Sequence, residues 1–353
     1  MNGHYRIAAL AGDGIGQEVL PAATRVLDTV ADRFGFRLSW TDFDWGSDFF
    51  RAHGRMMPED GIDQLAEHDA IFLGAVGTPG IPDAETLWGL LIPIRRSFLQ
   101  YINLRPVRSL PQVHSPLEDK RPLDIVIVRE NVEGEYSEVG GRLYRGRPEE
   151  VAIQEAVFTR AGVSRAAQYA FRLATERQGT LVSATKSNGI VYSMPFWDEV
   201  VSEVAAQHPG VAWRSVLIDA LAAEFVLRPQ GLDVVVASNL FGDILSDLAG
   251  AITGSIGVAP SANLNPEGEY PSMFEPVHGS APDIAGKGIA NPVGQIWSGA
   301  MMLRHLGQPE AADAVEAAFE AVLSEGVATK DLGGRATTQE FTTAVITTLE
   351  GQA

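Results

Sequence analysis

The sequence predicts an α/β fold. Short apolar runs rich in β-branched residues alternate with longer amphipathic segments. One run, Leu232-Asp-Val-Val-Val-Ala237, is apolar almost throughout, as expected of a strand covered on both faces in a parallel sheet. The segment 15–34 places Val19, Leu20, Ala23, Val26, Leu27 and Val30 on one helical stripe. In chain order, strands are expected at 5–11, 70–76, 123–128, 180–184 and 232–237. Helices are expected at 15–34, 162–177, 195–207 and 240–251, with two more near 298–306 and 309–325.

A chain of 353 residues is long enough for two or three domains with a large core. No internal repeat, low-complexity tract or long linker interrupts it, so a domain boundary must be a crossing of the chain. Twenty-seven basic against 45 acidic residues give a net charge of −18, which argues against a nucleic-acid or anionic-membrane surface. Most of these charges read as solvated surface, and clustered arginines still allow a local anion pocket. The sequence has no cysteine, which removes disulfides, thiol nucleophiles and Cys-ligated zinc. Residues 1–14 carry no long apolar stretch, and no run of about 18 apolar residues occurs, so a cytoplasmic chain is expected.

Four constellations carry possible chemistry. Gly12-Asp13-Gly14-Ile15-Gly16 lies between a strand and a helix, but its third glycine falls one place early for the dinucleotide fingerprint. A plain tight turn explains it equally well. Asp243 and Asp247 are four apart, so both project from one helix face and repel. A hard divalent cation would resolve that conflict, and two solvated aspartates are the alternative. Arg95, Arg96, Arg105 and Arg108 cluster, and Arg129 closes an apolar strand; guanidinium forks match carboxylates. Arg96 and Arg108 read as surface residues. Finally, residues 275–288 place His278 and Asp283 among small residues, as in a loop that lets a ligand lie against the backbone, or in an irregular surface loop.

Together these pieces resemble the β-decarboxylating dehydrogenase family, which includes the isopropylmalate, isocitrate, homoisocitrate and tartrate/D-malate enzymes. The match covers essentially the whole chain and is most specific in Asn239-Leu-Phe-Gly-Asp-Ile-Leu-Ser-Asp-Leu248 and Phe274-Glu-Pro-Val-His-Gly-Ser-Ala-Pro-Asp-Ile284. The resemblance implies a two-domain isopropylmalate-dehydrogenase-like α/β fold that is not a Rossmann fold. Residues 1–102 and 256–353 would form the large domain with most NAD contacts, and 103–255 an inserted smaller domain. It further implies a homodimer with shared active sites, an interlocking arm around 140–158, and a small dicarboxylate substrate.

Residue roles carry over by resemblance. Arg95, Arg105 and Arg129 would hold substrate carboxylates. Asp243 and Asp247 would bind Mg2+ or Mn2+, joined by Asp219 of the second subunit. Lys186, also from the second subunit, would be the general base and Tyr136 the general acid. Implied NAD contacts are Ile15, Asn188, Glu275, His278, Gly279, Ser280, Ala281, Asp283, Ile284 and Asn291, and potassium is a possible further cofactor. Asp283-Ile284 stands where NADP-dependent members carry Lys-Tyr, and a carboxylate there repels a 2′-phosphate. Trp88 replaces the glutamate of the isopropylmalate enzymes, and its Leu-Trp-Gly context resembles the branch acting on D-malate or tartrate. A core tryptophan unrelated to substrate is the alternative. The competing functions are 3-isopropylmalate dehydrogenase and a non-catalytic regulatory subunit; the latter fits poorly, since every catalytic position is filled.

Overall fold

The computed structural model describes residues 3–351. In chain order the strands are β1 (His4–Gly12), β2 (Arg37–Asp42), β3 (Ala70–Ala75), β4 (Ile102–Arg108), β5 (Asp124–Glu130), β6 (Gly140–Leu143), β7 (Val151–Gln154), β8 (Thr180–Thr185), β9 (Ala212–Leu217), β10 (Val234–Ala237), β11 (Pro260–Leu264) and β12 (Ser272–Pro276). The helices are α1 (Gly16–Phe34), α2 (Ser47–His53), α3 (Gly61–Ala66), α4 (Asp83–Thr86), α5 (Ile92–Ser97), α6 (Arg160–Glu176), α7 (Ser193–Ala205), α8 (Ile218–Leu227), α9 (Asn239–Thr253), α10 (Val293–His305), α11 (Pro309–Ser324) and α12 (Thr338–Gly351). Two compact units result, one of residues 1–100, 109–118 and 250–353, the other of 101–108 and 119–249.

In the first unit five strands lie in the order β2-β1-β3-β12-β11, all parallel except β11, which runs antiparallel to β12. The period-2 alternation of these strands sends Ala8, Leu10, Ile71, Leu73 and Met273 into one apolar cluster with Trp45, Met56, Leu90, Ile94 and Phe98. The predicted stripe of α1 is buried, and α1 packs on β1 and β3 beside α10 and α12. Between α4 and α5 the chain forms a π-helical turn at Leu87–Leu91, which carries Trp88. Helix α10 begins five residues before the expected 298, because Asn291 Oδ1 accepts the Val293 N–H and opens it at Pro292. The expected 275–288 loop is also shorter than read, since Glu275 and Pro276 belong to β12.

In the second unit the order is β4-β5-β10-β8-β9, with β4 antiparallel to β5 and the others parallel. β10 is buried at all four positions, as its Val-Val-Val run predicts. α6 packs on β5, β10 and β8, and α7 packs on α6 and β8. Fully buried Trp197 of α7 donates its Nε1–H to Ser183 Oγ at 3.0 Å, so the indole is satisfied inside the core. β6 and β7 form a two-stranded antiparallel ribbon, Gly140 opposite Gln154 and Leu143 opposite Val151, exposed at every strand position.

Candidate active site

In the second unit the chemistry-bearing residues gather where parallel strands end, the usual place for a ligand in an open α/β sheet. β5 and β10 run side by side with Arg129 opposite Ala237, and the chain leaves β10 through Ser238 into α9. Arg129 is almost wholly buried. Its Nε and Nη2 donate to Asn239 Oδ1 at 3.0 and 2.7 Å, and Nη1 donates to Asp243 Oδ1. On the other side of β5, Asn103 of β4 pairs with Arg129. Arg105, two residues along β4, donates its Nε to Asn103 Oδ1 at 2.6 Å and its Nη1 to Ser246 Oγ and, at 3.2 Å, to Asp243 Oδ1. The Tyr136 hydroxyl donates to Asp243 Oδ2 at 3.0 Å, with the Arg129 guanidinium 5.6 Å from its ring centre. Arg129 can lie against α9 because position 242 is glycine: a Cβ there would come 2.6 Å from Arg129 Cβ.

Asp243 therefore receives two guanidinium groups and a phenol, which changes the reading of the aspartate pair. The i,i+4 spacing alone predicts mutual repulsion; in the structure two buried cations face Asp243. Asp247 lies exposed on the next turn. Its carboxyl is pushed above the ordinary range by lost hydration and then by the Asp243 charge, with Arg105 and Arg129 opposing.

β8 and β9 are parallel neighbours, Thr185 opposite Leu217, so the residues that follow them also meet. Lys186 Nζ lies 2.5 Å from Asp219 Oδ1 in a pair far more exposed than the Asp243 grouping. The Lys186 contact holds the Asp219 carboxyl below its usual value. Asp219, Asp243 and Asp247 do not come together within one chain: no group of three or more His, Cys, Asp or Glu among the described residues could hold a metal. Asn188, also in this unit, lies exposed in the turn after Lys186.

The first unit holds Arg95, whose Nη2 donates to Glu275 Oε1 at 2.8 Å; the same oxygen accepts from Asn263 Nδ2. Arg95 Nε is buried and meets no partner among the described residues. Arg96 departs from the expected surface position. It is half-buried, with its guanidinium 5.0 Å from the Trp88 ring centre, a cation–π contact.

The glycine turn has a packing reason. A Cβ on Gly14, whose φ is +54°, would meet the Ser280 carbonyl oxygen at 2.1 Å, and that oxygen accepts the Ile15 N–H at 2.9 Å. This contact seats Ile15 beside Ala281. A pocket of about 420 Å3 opens there, lined by Ile15, His278, Ala281, Ile284, Ile289 and Asn291, with Ser255, Gly257, Lys330 and Asp331. His278 Nδ1 lies 3.0 Å from the Gly279 carbonyl, and Nε2 is buried without a partner among the described residues. Burial pulls the imidazole pKa down, so the ring is neutral at pH 7. Asp283 and Gly279 are exposed on the same loop.

Four residues that organise these sites do not stand out in sequence. Asn103 and Asn239 hold the two arginines, and Glu135 reaches the start of α9. Buried Asp13 accepts from Ser47 N, Ser47 Oγ and Gly77 N at 2.8, 2.6 and 2.7 Å, tying the glycine turn to the start of α2 and to the loop after β3. An aspartate flanked by glycines is the one signal that could have marked it.

A family model described as isocitrate/isopropylmalate dehydrogenase matches residues 6–345. The chain belongs to that family. It is 55% identical over 350 residues to D-malate dehydrogenase [decarboxylating] of Escherichia coli, covering 96% of this chain and 97% of that protein. It is 53% identical over 347 residues to a probable tartrate dehydrogenase/decarboxylase of Bacillus subtilis, covering 98% of each. The fold is similar to that of isocitrate dehydrogenase from Methylococcus capsulatus, with a TM-score of 0.88 at 32% identity over 98% of this chain and 99% of that one. The expected isopropylmalate-dehydrogenase-like fold is therefore the one found. No helix among the described residues is long and apolar enough to cross a membrane.

Proposed function

We propose that the chain is an NAD- and divalent-metal-dependent dehydrogenase that oxidises the C2 hydroxyl of D-malate or tartrate and releases pyruvate and CO2 from D-malate. The observation that carries the chemistry is the Asp243 grouping: two buried arginines, a phenolic hydroxyl and a carboxylate pair in one place. The choice of substrate is supported by the names of the relatives that are 53% and 55% identical.

The residues present fit both groups the reaction needs. Asp243 and Asp247, one turn apart on α9, offer hard oxygen donors of the kind a divalent cation takes. The pocket at Ile15, with its apolar wall and the orphaned His278 Nε2, suits a nucleoside. When bound, the metal supplies Lewis acidity that lowers the pKa of the substrate hydroxyl, and NAD supplies a hydride acceptor.

The chain's own groups do the rest. Arg105 and Arg129, already fixed by Asn103 and Asn239, hold the substrate carboxylates. Lys186 and Asp219 of a second copy complete the site, the amine taking the hydroxyl proton and the aspartate joining the metal ligands. Loss of the hydroxyl proton and of hydride from C2 would leave a 2-keto acid that still carries the carboxylate on C3; its C3–C4 bond then breaks, CO2 departs and the electron pair of that bond forms the enolate. Tyr136 gives its proton to the enolate carbon. NAD is favoured over NADP by resemblance: Asp283, the sequence neighbour of pocket-lining Ile284, stands where NADP-dependent members carry lysine, and Lys330 and Asp331 are the charged residues lining the pocket. Trp88 stands, by resemblance, where the isopropylmalate enzymes carry glutamate, which favours malate and tartrate over an isopropyl-bearing substrate.

Initial rates test this directly. D-malate, both tartrate stereoisomers, 3-isopropylmalate and isocitrate are each offered with Mn2+ and either NAD or NADP. D-malate or a tartrate with NAD should be the best pair, and NADP should be at least about 100-fold poorer, as several kcal/mol of like-charge contact implies. Faster turnover of 3-isopropylmalate than of D-malate replaces the substrate assignment with the isopropylmalate one.

A further inference from the structure

We propose that Glu135 is a positioning residue that clasps the Tyr136 loop to the first turn of α9 and so sets where Tyr136 meets Asp243. The first N–H groups of any helix lack partners within it and need an outside acceptor. At α9 the N-cap is Ser238, whose carbonyl accepts the Gly242 N–H at 2.8 Å. Serine is among the best N-caps because its own hydroxyl can accept from the first turn. Here it does something else: Ser238 Oγ donates to Glu135 Oε1 at 3.0 Å, and Glu135 Oε2 accepts the Leu240 N–H at 3.2 Å. The cap is thus supplied by a carboxylate about 100 positions away in sequence and immediately before Tyr136.

That substitution of one acceptor for another has a geometric effect that a local cap lacks. A serine at this position can also accept from the first turn with its own hydroxyl. The glutamate adds a two-point tie between the backbone at Tyr136 and the helix that bears Asp243, three residues beyond Leu240. Asn239 adds a third point, its Nδ2 donating to the Glu133 carbonyl at 3.2 Å. The base of the loop is fixed separately. Glu130 accepts the Val132 and Glu133 N–H groups, and Glu133 accepts from Thr159 N and Oγ1 at 2.8 and 2.7 Å. The tip, where Tyr136 sits, is also tied to residues 154–157. Gly134 and Val157 exchange N–H···O bonds at 2.7 and 3.0 Å, Gln154 Nε2 donates to the Glu135 and Ser137 carbonyls at 3.3 and 2.6 Å, and Ser137 Oγ donates to the Glu155 carbonyl. Glu135 carries the side-chain tie from this tip to the first turn of α9. An anion also suits the positive end of the α9 dipole.

The consequence for rate rests on the reading of Tyr136 as proton donor; the clasp itself does not. Protein labelled with 13Cζ-tyrosine separates the two, the Tyr136 resonance being assigned by its loss in Tyr136→Phe. In Glu135→Ala that resonance should move, and kcat should fall about tenfold, as expected of a misplaced catalytic group, with KM within about twofold of wild type. Glu135→Gln should restore both, since its Oε1 still accepts the Leu240 N–H and its amide still reaches Ser238. Glu135→Asp, one methylene shorter, should behave like the alanine variant, and decides the matter if that variant does not fold. An unmoved Tyr136 resonance in Glu135→Ala or Glu135→Asp overturns the proposal, as does a shift in Glu135→Gln as large as theirs. Wild-type kcat in Tyr136→Phe together with a moved resonance in Glu135→Ala leaves the clasp standing and removes Tyr136 as the acid.

Discussion

Asp243 and Asp219 both face cations just beyond the ends of parallel strands in the same unit, yet they are built differently. Asp243 lies against two arginines whose side chains are 3% and 9% exposed, each held by an asparagine. Asp219 and Lys186 meet at the surface, 65% and 31% exposed, where water screens the pair. The buried grouping is complete within one chain and pre-organised. The exposed one gives its own chain little.

The largest difference should appear when each is broken. Asp243→Asn and Lys186→Ala should each lower kcat/KM by about 1000-fold or more, one through the metal and one through the base. Their stabilities should then diverge. Asp243→Asn leaves Arg105 and Arg129 buried beside a neutral group and should cost about 1–3 kcal/mol in chemical denaturation. That reverses the expectation from spacing alone, on which losing one of two repelling carboxylates is harmless. Lys186→Ala should leave the denaturation midpoint unchanged within experimental scatter. Equal midpoints for the two variants would erase the distinction.

Mixing the same two variants asks whose site Lys186 serves. If it acts across a subunit boundary, random re-pairing produces hybrid dimers with one intact site and should recover about a quarter of wild-type activity. No recovery after verified exchange returns Lys186 to its own chain's site. A smaller effect is expected at Trp88. Trp88→Ala should raise the efficiency of C3-alkylated malates relative to D-malate about tenfold, the equivalent of removing a clash worth ~1–3 kcal/mol. Unchanged relative efficiency makes Trp88 a packing residue held by Arg96.

Glu130 separates burial from pairing. It is fully buried, its nearest cation is Arg165 at 3.9 Å, and burial pushes its carboxyl up to about 7. A folded-state pKa above the unfolded 4.5 means that the stabilisation is complete below about pH 4.5 and is lost as pH rises through 7. From pH 5 to 8 this loss should be about 2–3 kcal/mol, and Glu130→Gln should flatten it. A wild-type profile that rises over this range contradicts the assignment.

Much of this was legible in the sequence, for physical reasons that also mark where legibility ends. β10 is buried on both faces, so its valines announce it, and α1 shows its stripe because one side faces a core. β6 and β7 are exposed at every strand position and carry no burial pattern; β9 is little better. Asp243 and the arginines could be named from the chemistry of their side chains. Their mutual arrangement could not, because Arg105 and Asp243 are 138 positions apart and meet only through the order of the strands. Arg96 departs from the surface expectation for a related reason: its cation–π contact is with Trp88 of the π-helical turn at Leu87–Leu91, which side-chain periodicity does not reveal.

The glycine beneath Arg129 has a consequence for anyone improving this protein by design. Gly242 lies inside a helix, where replacing glycine by alanine normally stabilises by about 1 kcal/mol. A propensity-guided library would choose that exchange early. At this position the added methyl would stand 2.6 Å from Arg129 Cβ and 3.2 Å from its Cα, so neither rotamer change nor solvent can make room. The guanidinium would be levered off Asn239 and Asp243, and a better helix former would yield a poorer catalyst. Stabilising screens that score expression or melting alone should therefore hold position 242 fixed.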